Sequence, residues 1–270
     1  MDDFTMQTMN KTGLFFDFDG TLWFGRYGDE TLKELKRLAE KGVLLFLNTG
    51  RSAGNLRKET AEIPFTALLC GGCTAIEKGR FLFRRDLTRE EVSLVADVTD
   101  RFGLDTVYEG VKRNYLQADY GKAAENGRKL GLVDAEPVRG ADMLDVTERP
   151  ATKISVLKRF DEQGVALPFP EEARKILSRI FDVIDFPGYT ECMIQGFGKD
   201  RMLAFAEKHY GIPHENTYAF GDSFNDLPML RYAAHAAVIG HSPEGVKEVA
   251  DFVTTEEENG IAEAVRAYGL

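Results

Sequence analysis

Residues 14–22 constrain the fold of this chain more than any other stretch. Residues 14–16 are apolar and predict a short buried strand, which runs directly into Asp17 and Asp19 and then into a Gly-Thr pair. Side chains two positions apart on an extended chain point the same way, so the two carboxylates would repel each other unless a cation or a shared proton lay between them. Ligands bind at the carboxyl ends of the strands in an open parallel α/β sheet. The stretch therefore predicts a divalent metal site at the end of a central strand.

A surface turn with two solvated aspartates and a calcium-binding EF-hand loop are the other interpretations of this pattern. The EF-hand loop needs Gly at its sixth position and Glu at its twelfth, whereas Gly20 directly follows Asp19, so that loop is excluded. The choice between a metal site and a solvated turn depends on the rest of the chain.

The composition is that of an ordinary globular protein, and it limits the classes of partner. Hydrophobic residues make up 43% of the 270 residues and charged residues 29%, which is enough for one large domain or two smaller ones. The formal net charge of −10 argues against nucleic acid or an anionic membrane as the main partner, but not against a small anionic substrate bound beside a metal. No apolar run has the length of a membrane span and the first residues are acidic, so we expect a cytoplasmic protein.

Cys70 and Cys73 form a C-x-x-C pair, a spacing that occurs in redox sites and in zinc sites. A zinc site needs further ligands at close spacing, yet Cys192 stands alone and none of the 4 histidines is spaced as its partner. The pattern favours small residues in a tight turn after a strand over redox or zinc chemistry.

Residues 29–47 repeat the strand and helix pattern of a parallel sheet. Asp29 is the expected N-cap of a helix that ends at Gly42. The continuous apolar run 43–47 predicts a strand covered on both faces. Strand, helix and strand in this order form the right-handed crossover of a parallel sheet.

This second strand ends in Asn-Thr-Gly-Arg at residues 48–51, ahead of a predicted helix that ends before Pro64. The hydroxyl of Thr49 and the backbone amides of Gly50 and Arg51 would form a phosphate-binding cradle beside the N-terminus of that helix. An ordinary helix N-cap is the alternative, and this stretch taken alone favours it.

The pattern changes at residue 84. Thr88 and Glu91 predict a capping box, and short strands and helices follow until the parallel alternation resumes. We therefore predict an α/β fold with a Rossmann-like parallel-sheet core and an inserted α+β domain. The predicted parts are residues 1–83 for the first part of the core, 84–188 for the insertion and 189–270 for the second part of the core.

Two further polar motifs follow the predicted insertion. Lys199 stands at the start of a helix, where the helix dipole disfavours a cation, so we expect an anionic group beside it; a solvated surface lysine is the alternative. Residues 217–220 predict a strand that ends in Gly-Asp-Ser-Phe-Asn-Asp, which places Asp222 and Asp226 at the carboxyl end of another strand.

The order Asp-Phe-Asp-Gly-Thr, Asn-Thr-Gly-Arg, helix-start lysine and Gly-Asp-Ser-Phe-Asn-Asp resembles the haloacid dehalogenase superfamily of phosphotransferases. Within it, the chain resembles the Cof-type branch of sugar-phosphate phosphatases, which carries a large α/β cap. The likeness covers the core on both sides of the insertion. Two departures concern Asp200, where the branch usually has Gly, and residues 71–74, where Gly-Gly-Cys-Thr replaces the usual Asn-Gly-Ala.

The resemblance implies a role for each motif residue. Asp17 would be the nucleophile that takes the phosphoryl group, and Asp19 would be the general acid for the leaving alcohol and then the base that activates water. The phosphoryl oxygens would be held by Thr49, Gly50 and Lys199, and Asn225 would assist either at the phosphate or at the waters of the metal.

The resemblance also implies Mg²⁺ as the cofactor. Asp17, Asp222 and the backbone carbonyl of Asp19 would bind the ion, and Asp226 would position Lys199. A carboxylate can attack a phosphate dianion only if charge is neutralised, which a metal and a lysine supply.

The resulting hypothesis is Mg²⁺-dependent hydrolysis of a small phosphorylated metabolite, such as a sugar phosphate, through an aspartyl-phosphate. A phosphomutase of the phosphomannomutase kind is the alternative, for which Arg113, Arg128 and Arg139 would supply a cationic cap. A non-catalytic regulatory member of the fold would be expected to have lost Asp17 or Asp19, and both are present.

The inserted domain resembles a cap that excludes water and selects the leaving group. Its composition offers four candidate substrate contacts, with an ordinary polar loop as the alternative: Arg113, Asn114, Tyr115 and Tyr120.

Overall fold

The computed structural model describes residues 11–117 and 135–270. The strands are, in chain order, β1 (Gly13–Phe16), β2 (Leu44–Thr49), β3 (Ala67–Cys70), β4 (Thr74–Glu77), β5 (Arg80–Arg84), β6 (Thr106–Gly110), β7 (Asn114–Gln117), β8 (Ala135–Val138), β9 (Ala151–Leu157), β10 (Phe181–Asp185), β11 (Tyr189–Ile194), β12 (Thr217–Gly221), β13 (His235–Val238) and β14 (Phe252–Val253). The α-helices are α1 (Asp29–Glu40), α2 (Arg89–Phe102), α3 (Glu171–Leu177), α4 (Lys199–Tyr210), α5 (Leu227–Tyr232), α6 (Glu244–Lys247) and α7 (Gly260–Ala267). None of the helices in this described part is both long and apolar enough to cross a bilayer.

The chain folds into two compact units. The core unit comprises Met1–Gly50, Arg57–Phe83 and Phe197–Leu270, and the inserted unit comprises Arg51–Leu56 and Arg84–Gly196.

The core unit is built on an eight-stranded sheet in the order β14-β13-β12-β1-β2-β3-β4-β5. The strands from β14 to β3 are parallel, and β4 runs antiparallel to β3. β1 lies between β12 and β2, so the polar residues that follow these three strands emerge at the same edge of the sheet. The predicted fold class, a parallel-sheet α/β core with an inserted α+β domain, is confirmed.

Apolar side chains fix β1 and β2 in the middle of this sheet. Phe15 of β1 stacks on Phe46 of β2, with ring centroids 4.6 Å apart, and Phe16 stacks on Phe220 of β12 at 4.7 Å. All four rings are buried, and Met202 and Leu203 of α4 pack in the same cluster as Phe15 and Phe46. The strand ends that carry the polar motifs are therefore anchored on a close-packed base.

The inserted unit is built on a six-stranded sheet in the order β10-β11-β9-β6-β7-β8. Its neighbouring strands are antiparallel apart from β7 and β8, and α2 packs against α3. The unit extends to Gly196, beyond the predicted boundary at residue 188. The reason is that β11 pairs with both β9 and β10, so residues that were expected in the core complete the inserted sheet.

The helix predicted between the Asn-Thr-Gly-Arg motif and Pro64 is replaced by two short 3₁₀ segments, Ala53–Asn55 and Lys58–Glu62. A Cβ on Gly54 would lie 2.5 Å from the carbonyl oxygen of Gly110, so the chain approaches β6 at a distance that only glycine permits. This close approach places the first of the two segments in the inserted unit.

The N-termini of α1 and α2 differ in how they are capped. The predicted capping box of α2 is present, since the Thr88 hydroxyl accepts from the Glu91 amide and the Glu91 carboxylate accepts from the Thr88 amide. The predicted cap of α1 at Asp29 is wrong, because α1 already includes Asp29. The side-chain oxygen of Asn259 accepts from the amides at the start of α1 instead.

Candidate active site

Asp17 is fixed at the carboxyl end of β1. Its backbone amide donates to the carbonyl of Phe220 on β12 at 2.9 Å, which continues the strand pairing by one residue beyond β1. The Asp17 side chain is buried, whereas Asp19 is exposed. The two carboxylates, which lie one residue apart in the sequence, therefore occupy different environments.

The turn after Asp17 is shaped to receive Asp222. Gly20 has a φ of 82°, and a Cβ there would lie 2.7 Å from Oδ2 of Asp222, so both the conformation and the contact require glycine. Thr21 donates its hydroxyl to Oδ1 of Asp222 at 2.9 Å. The Gly-Thr pair thus brings the motif at the end of β12 against the motif at the end of β1.

Lys199 reaches this site from the first residue of α4. Its Nζ donates to Oδ1 of Asp17 at 2.6 Å and to Oδ1 of Asp226 at 2.5 Å, and the side chain is only 4% exposed. Two anionic groups, Asp17 and Asp226, therefore lie beside this lysine, as expected. The alternative interpretation of Lys199 as a solvated surface residue is excluded. An ion pair buried to this degree gains strength from the low local dielectric.

Asp226 uses both of its carboxylate oxygens to organise the loop that follows β12. Oδ1 accepts from Lys199, and Oδ2 accepts from the backbone amides of Asp222 and Ser223, both at 3.0 Å. A Cβ on Gly221 would lie 2.6 Å from the Cβ of Asp226, so glycine is required for the loop to fold back. Asp226 is completely buried, and its side chain is committed to these contacts.

Thr49, Gly50 and Asn225 lie on the adjacent β2 edge of the site. Thr49 is the buried last residue of β2. A Cβ on Gly50 would lie 3.6 Å from Nδ2 of Asn225, which places that amide next to the loop after β2. Asn225 is oriented by Ser223, whose hydroxyl donates to its Oδ1 at 2.6 Å.

The buried charges shift the pKa values of the site residues. Burial raises the pKa of Asp17 to about 7, although Lys199 opposes this shift. Burial also opposes the charge of Lys199, but Asp17 and Asp226 outweigh it and hold the lysine pKa above its ordinary value. The pKa of Asp222 is raised by burial and by the nearby Asp226. The site therefore favours binding of additional positive charge.

The carboxylates fit a hard divalent cation. Asp17, Asp222 and Asp226 each offer an oxygen within 4.8 Å of the others, and with Lys199 they carry a formal charge of −2 when ionised. Oxygen donors of this kind suit Mg²⁺. The side chain of Asp19 is not a member of this cluster, so its predicted contribution to the metal remains limited to its backbone carbonyl.

Three polar contacts of the site were not predicted from the sequence. Thr21 holds Asp222, Asn48 donates to the backbone carbonyl of Lys199 at 2.8 Å, and Nε2 of His241 lies 3.5 Å from Oδ2 of Asp222. Thr21 belongs to the first motif, and Asn48 is a polar residue at the end of an apolar strand, so each left a visible signal. His241 follows β13, and its neighbouring residues form no motif from which its contact with Asp222 could be predicted.

The other predicted candidates lie in the inserted unit. Asn114 is buried and donates to the side-chain oxygen of Asn55 at 2.6 Å, Arg113 pairs with Glu136 at 2.9 Å, and Tyr115 is buried. Arg139 precedes the 3₁₀ segment Gly140–Leu144. Tyr120 and Arg128 lie outside the described residues.

Cys70 and Cys73 flank the turn between β3 and β4, where Gly71 and Gly72 both have positive φ. Within residues 11–117 and 135–270, the group of carboxylates described above is the one set of potential metal-binding side chains, and it contains no cysteine. The geometry is that of the tight turn favoured from the sequence.

The family model of haloacid dehalogenase-like hydrolases matches residues 14–265, so the chain belongs to that family. The 5-amino-6-(5-phospho-D-ribitylamino)uracil phosphatase YcsE of Bacillus subtilis (strain 168) is 24% identical over 262 residues, which cover 94% of this chain and 94% of YcsE. The HMP-PP phosphatase of Enterobacter sp. (strain 638) is 26% identical over 247 residues, which cover 87% of this chain and 86% of that protein.

Solved structures share this fold. The haloacid dehalogenase subclass IIB sugar phosphatase BT4131 has a TM-score of 0.79 at 22% identity, and the match covers 96% of this chain and 99% of that one. The predicted family is confirmed, as is the prediction that the chain is a phosphatase.

Proposed function

We propose that this protein hydrolyses small phosphorylated metabolites, with sugar phosphates as the first candidates, in a Mg²⁺-dependent reaction that passes through an aspartyl-phosphate. The observation that carries the proposal is the contact between Lys199 and Asp17, at 2.6 Å, within a group of three carboxylates at the carboxyl ends of β1 and β12. A buried nucleophilic carboxylate beside a fixed cation suits attack on a phosphate dianion.

In this mechanism a carboxylate oxygen of Asp17 forms a bond to phosphorus as the bond to the leaving oxygen breaks. Asp19 donates a proton to that leaving oxygen. It then accepts a proton from water, whose oxygen attacks phosphorus, and the bond between Asp17 and phosphorus breaks to release phosphate. The exposure of Asp19 supports this role, because its proton must exchange with leaving group and water.

The phosphoryl oxygens would be held by groups that the core unit brings to one edge of its sheet: the Thr49 hydroxyl, the Gly50 amide, the Lys199 ammonium and the Asn225 amide. Mg²⁺, when bound by Asp17, Asp222 and the backbone carbonyl of Asp19, supplies positive charge that offsets the charge of the phosphoryl group. Asp226 would act as a positioning residue, since both of its oxygens already accept hydrogen bonds.

The class of substrate is supported by the relatives. HMP-PP phosphatase and 5-amino-6-(5-phospho-D-ribitylamino)uracil phosphatase are both named for small phosphorylated metabolites. The net charge of −10 supports a metabolite over nucleic acid or an anionic membrane. A cytoplasmic location is part of the same proposal.

Phosphate release from a panel of phosphorylated metabolites tests the proposal. We expect release to require Mg²⁺ and to fall by at least about 10³-fold in Asp17→Asn, which keeps the shape of the side chain but removes the nucleophile. Asp182→Asn, at an exposed position of β10, is the matched control and should match the wild type. Release that persists in Asp17→Asn would contradict the mechanism. Phosphoryl transfer between positions of a hexose phosphate without release, followed by ³¹P NMR, would favour the mutase instead.

A further inference from the structure

Asn48 places a polar side chain inside the apolar core of the core unit. β2 is otherwise apolar up to this position, and Asn48 is 0% exposed. A buried amide costs free energy unless its donor and acceptor atoms both find partners. The position therefore calls for an explanation beyond packing.

The contacts of Asn48 satisfy only half of its amide. Nδ2 donates to the backbone carbonyl of Lys199 at 2.8 Å and lies 3.1 Å from the sulfur of Met229. Oδ1 has no hydrogen-bond partner among the described residues. A leucine would fill similar space and leave no acceptor unsatisfied, so stability alone does not account for asparagine here.

The hydrogen bond from Nδ2 of Asn48 is accepted by the backbone of Lys199, whose ammonium contacts Asp17 in the site. Lys199 is the first residue of α4, and that helix has no side-chain cap at its N-terminus. Burial and the helix dipole both act against a cation at this place. A hydrogen bond from β2 to the Lys199 backbone fixes the start of α4 against the sheet, and so fixes where Nζ can reach.

Asn48 also links two of the proposed phosphoryl-binding groups. Thr49 is its neighbour at the end of β2, and Lys199 is its hydrogen-bond partner 151 residues away in the chain. Any shift of the start of α4 relative to β2 would change the spacing between the Thr49 hydroxyl and the Lys199 ammonium. Binding and transfer of a phosphoryl group are sensitive to displacements of about 1 Å.

We infer that Asn48 is a positioning residue, which sets the place of the Lys199 ammonium beside Asp17 through the backbone of α4. The inference rests on the proposed function, because it assigns Lys199 to the phosphoryl group. It also explains why Oδ1 of Asn48 can stay without a partner, since the function of the side chain is the hydrogen bond that Nδ2 donates to the Lys199 backbone.

The test compares Asn48→Leu with the wild type in stability, turnover and affinity for inorganic phosphate. We expect an unchanged or higher melting temperature, a roughly 10- to 100-fold lower kcat/KM and a weaker phosphate affinity measured by calorimetry in the presence of Mg²⁺. Thr66→Val is the matched control, because it removes a different side-chain hydrogen bond to β2, at the Leu45 amide. That control should leave turnover and phosphate affinity unchanged.

A double-mutant cycle of phosphate affinities distinguishes a loss that acts through the position of Lys199 from a loss caused by general disruption of the fold. In a Lys199→Ala background, Asn48→Leu should cause no further loss of phosphate affinity, because the group that it positions is absent. Losses that multiply, or an Asn48→Leu protein with wild-type turnover and affinity, would overturn the inference. The cycle does not depend on finding the substrate, so a failure of the proposed hydrolysis would appear separately, as a wild type that binds phosphate but releases none.

Discussion

Asp17 and Asp19 show how strongly environment separates two identical side chains. Asp17 is buried, paired with Lys199 and joined to β12 through its backbone, so its carboxylate is held in one place. Asp19 is exposed two residues later. The proposed two-step phosphoryl transfer requires a fixed nucleophile and an accessible acid and base.

This separation predicts that Asp19→Asn slows hydrolysis of the aspartyl-phosphate with every substrate. The variant should slow phosphoryl transfer to Asp17 only when the leaving group needs a proton. p-Nitrophenolate leaves without a proton, so the variant should still transfer its phosphoryl group to Asp17 and then stall. Stopped-flow measurement should show a burst of about one nitrophenolate per active site, followed by turnover roughly 10²- to 10⁴-fold below the wild type. An alkyl phosphate should give no burst. Asp17→Asn is the control without a burst, and equal losses for both substrates would contradict the assignment of Asp19.

The pKa values of the cysteines predict unreactive thiols, whereas a redox pair needs a cysteine with a lowered pKa. Burial raises the pKa of Cys70, and it raises the pKa of Cys192 to about 12. A raised pKa keeps a thiol protonated at pH 8, and the thiolate is the reactive form. We expect the native thiols to react with Ellman's reagent at least about 100-fold more slowly than the urea-unfolded chain at pH 8. Fast reaction of the native protein at pH 7 would instead indicate a lowered pKa and a redox role for Cys70 and Cys73.

The sequence was informative about residues whose function depends on local pattern. The carboxylates and the lysine were predicted because each follows a strand or begins a helix, positions that hydrophobic periodicity reveals. Asn48 and His241 were missed for the opposite reason. Their contacts, with Lys199 and Asp222, are made across the fold, so the neighbouring residues do not identify the partner of either side chain.

At the scale of elements, helix ends could be predicted where the capping residues are local in sequence, but not where they come from a distant part of the chain. The capping box of α2 lies within four consecutive residues and was predicted correctly. The cap of α1 comes from Asn259, 229 residues beyond the Glu30 amide to which it bonds. The helix expected before Pro64 failed similarly, because the approach of Gly54 to β6 depends on tertiary packing.

The strands of the inserted sheet carry a buried ion network that the proposed mechanism does not use. Lys153 of β9 lies 2.7 Å from Oε2 of Glu191 on β11 and 3.8 Å from Oε1 of Glu109 on β6, and all three side chains are buried. Ser155 donates to Glu109 at 2.7 Å. Burial opposes the charge of Lys153, but the two glutamates outweigh it and raise the lysine pKa. The network joins three neighbouring strands through charge.

Removal of the cation from this network should be costly. Lys153→Met removes the cation that pairs with two buried carboxylates, and we expect a loss of about 3–5 kcal/mol in the free energy of unfolding. Urea unfolding followed by far-UV circular dichroism measures it, with Lys175→Met at an exposed position of α3 as the control. Adding Glu109→Gln and Glu191→Gln to Lys153→Met should recover part of the loss. A Lys153→Met protein as stable as its control would show that the charges are solvated.

At the scale of the whole molecule, the chain passes between the two units four times. Besides the passage expected at residue 84 and the one after Gly196, which was expected after residue 188, it enters the inserted unit at Arg51 and leaves it after Leu56. The sequence predicted an insertion and its first boundary, since composition and periodicity change there. It could not predict the short excursion, whose membership is decided by contacts of single residues rather than by a pattern.

Asn55 supplies side-chain hydrogen bonds that tie this excursion to the inserted unit. Its Nδ2 donates to Oε2 of Glu109 at 2.7 Å, and its Oδ1 accepts from Asn114 at 2.6 Å. Asn55→Ala would therefore deprive a buried carboxylate of a donor and a buried amide of its acceptor. Each loss of this type costs about 1–3 kcal/mol.

We therefore expect Asn55→Ala to loosen the inserted unit alone. Hydrogen exchange followed by mass spectrometry should show faster exchange of peptides from β6, β7 and β9, while peptides from β1, β2 and β12 keep the wild-type rate, because their packing does not involve Asn55. Asn216→Ala, in the core unit, is the matched control and should leave β6, β7 and β9 unchanged. Faster exchange across both sheets would mean that the two units unfold together, and no change in either would mean that the excursion is held by other contacts.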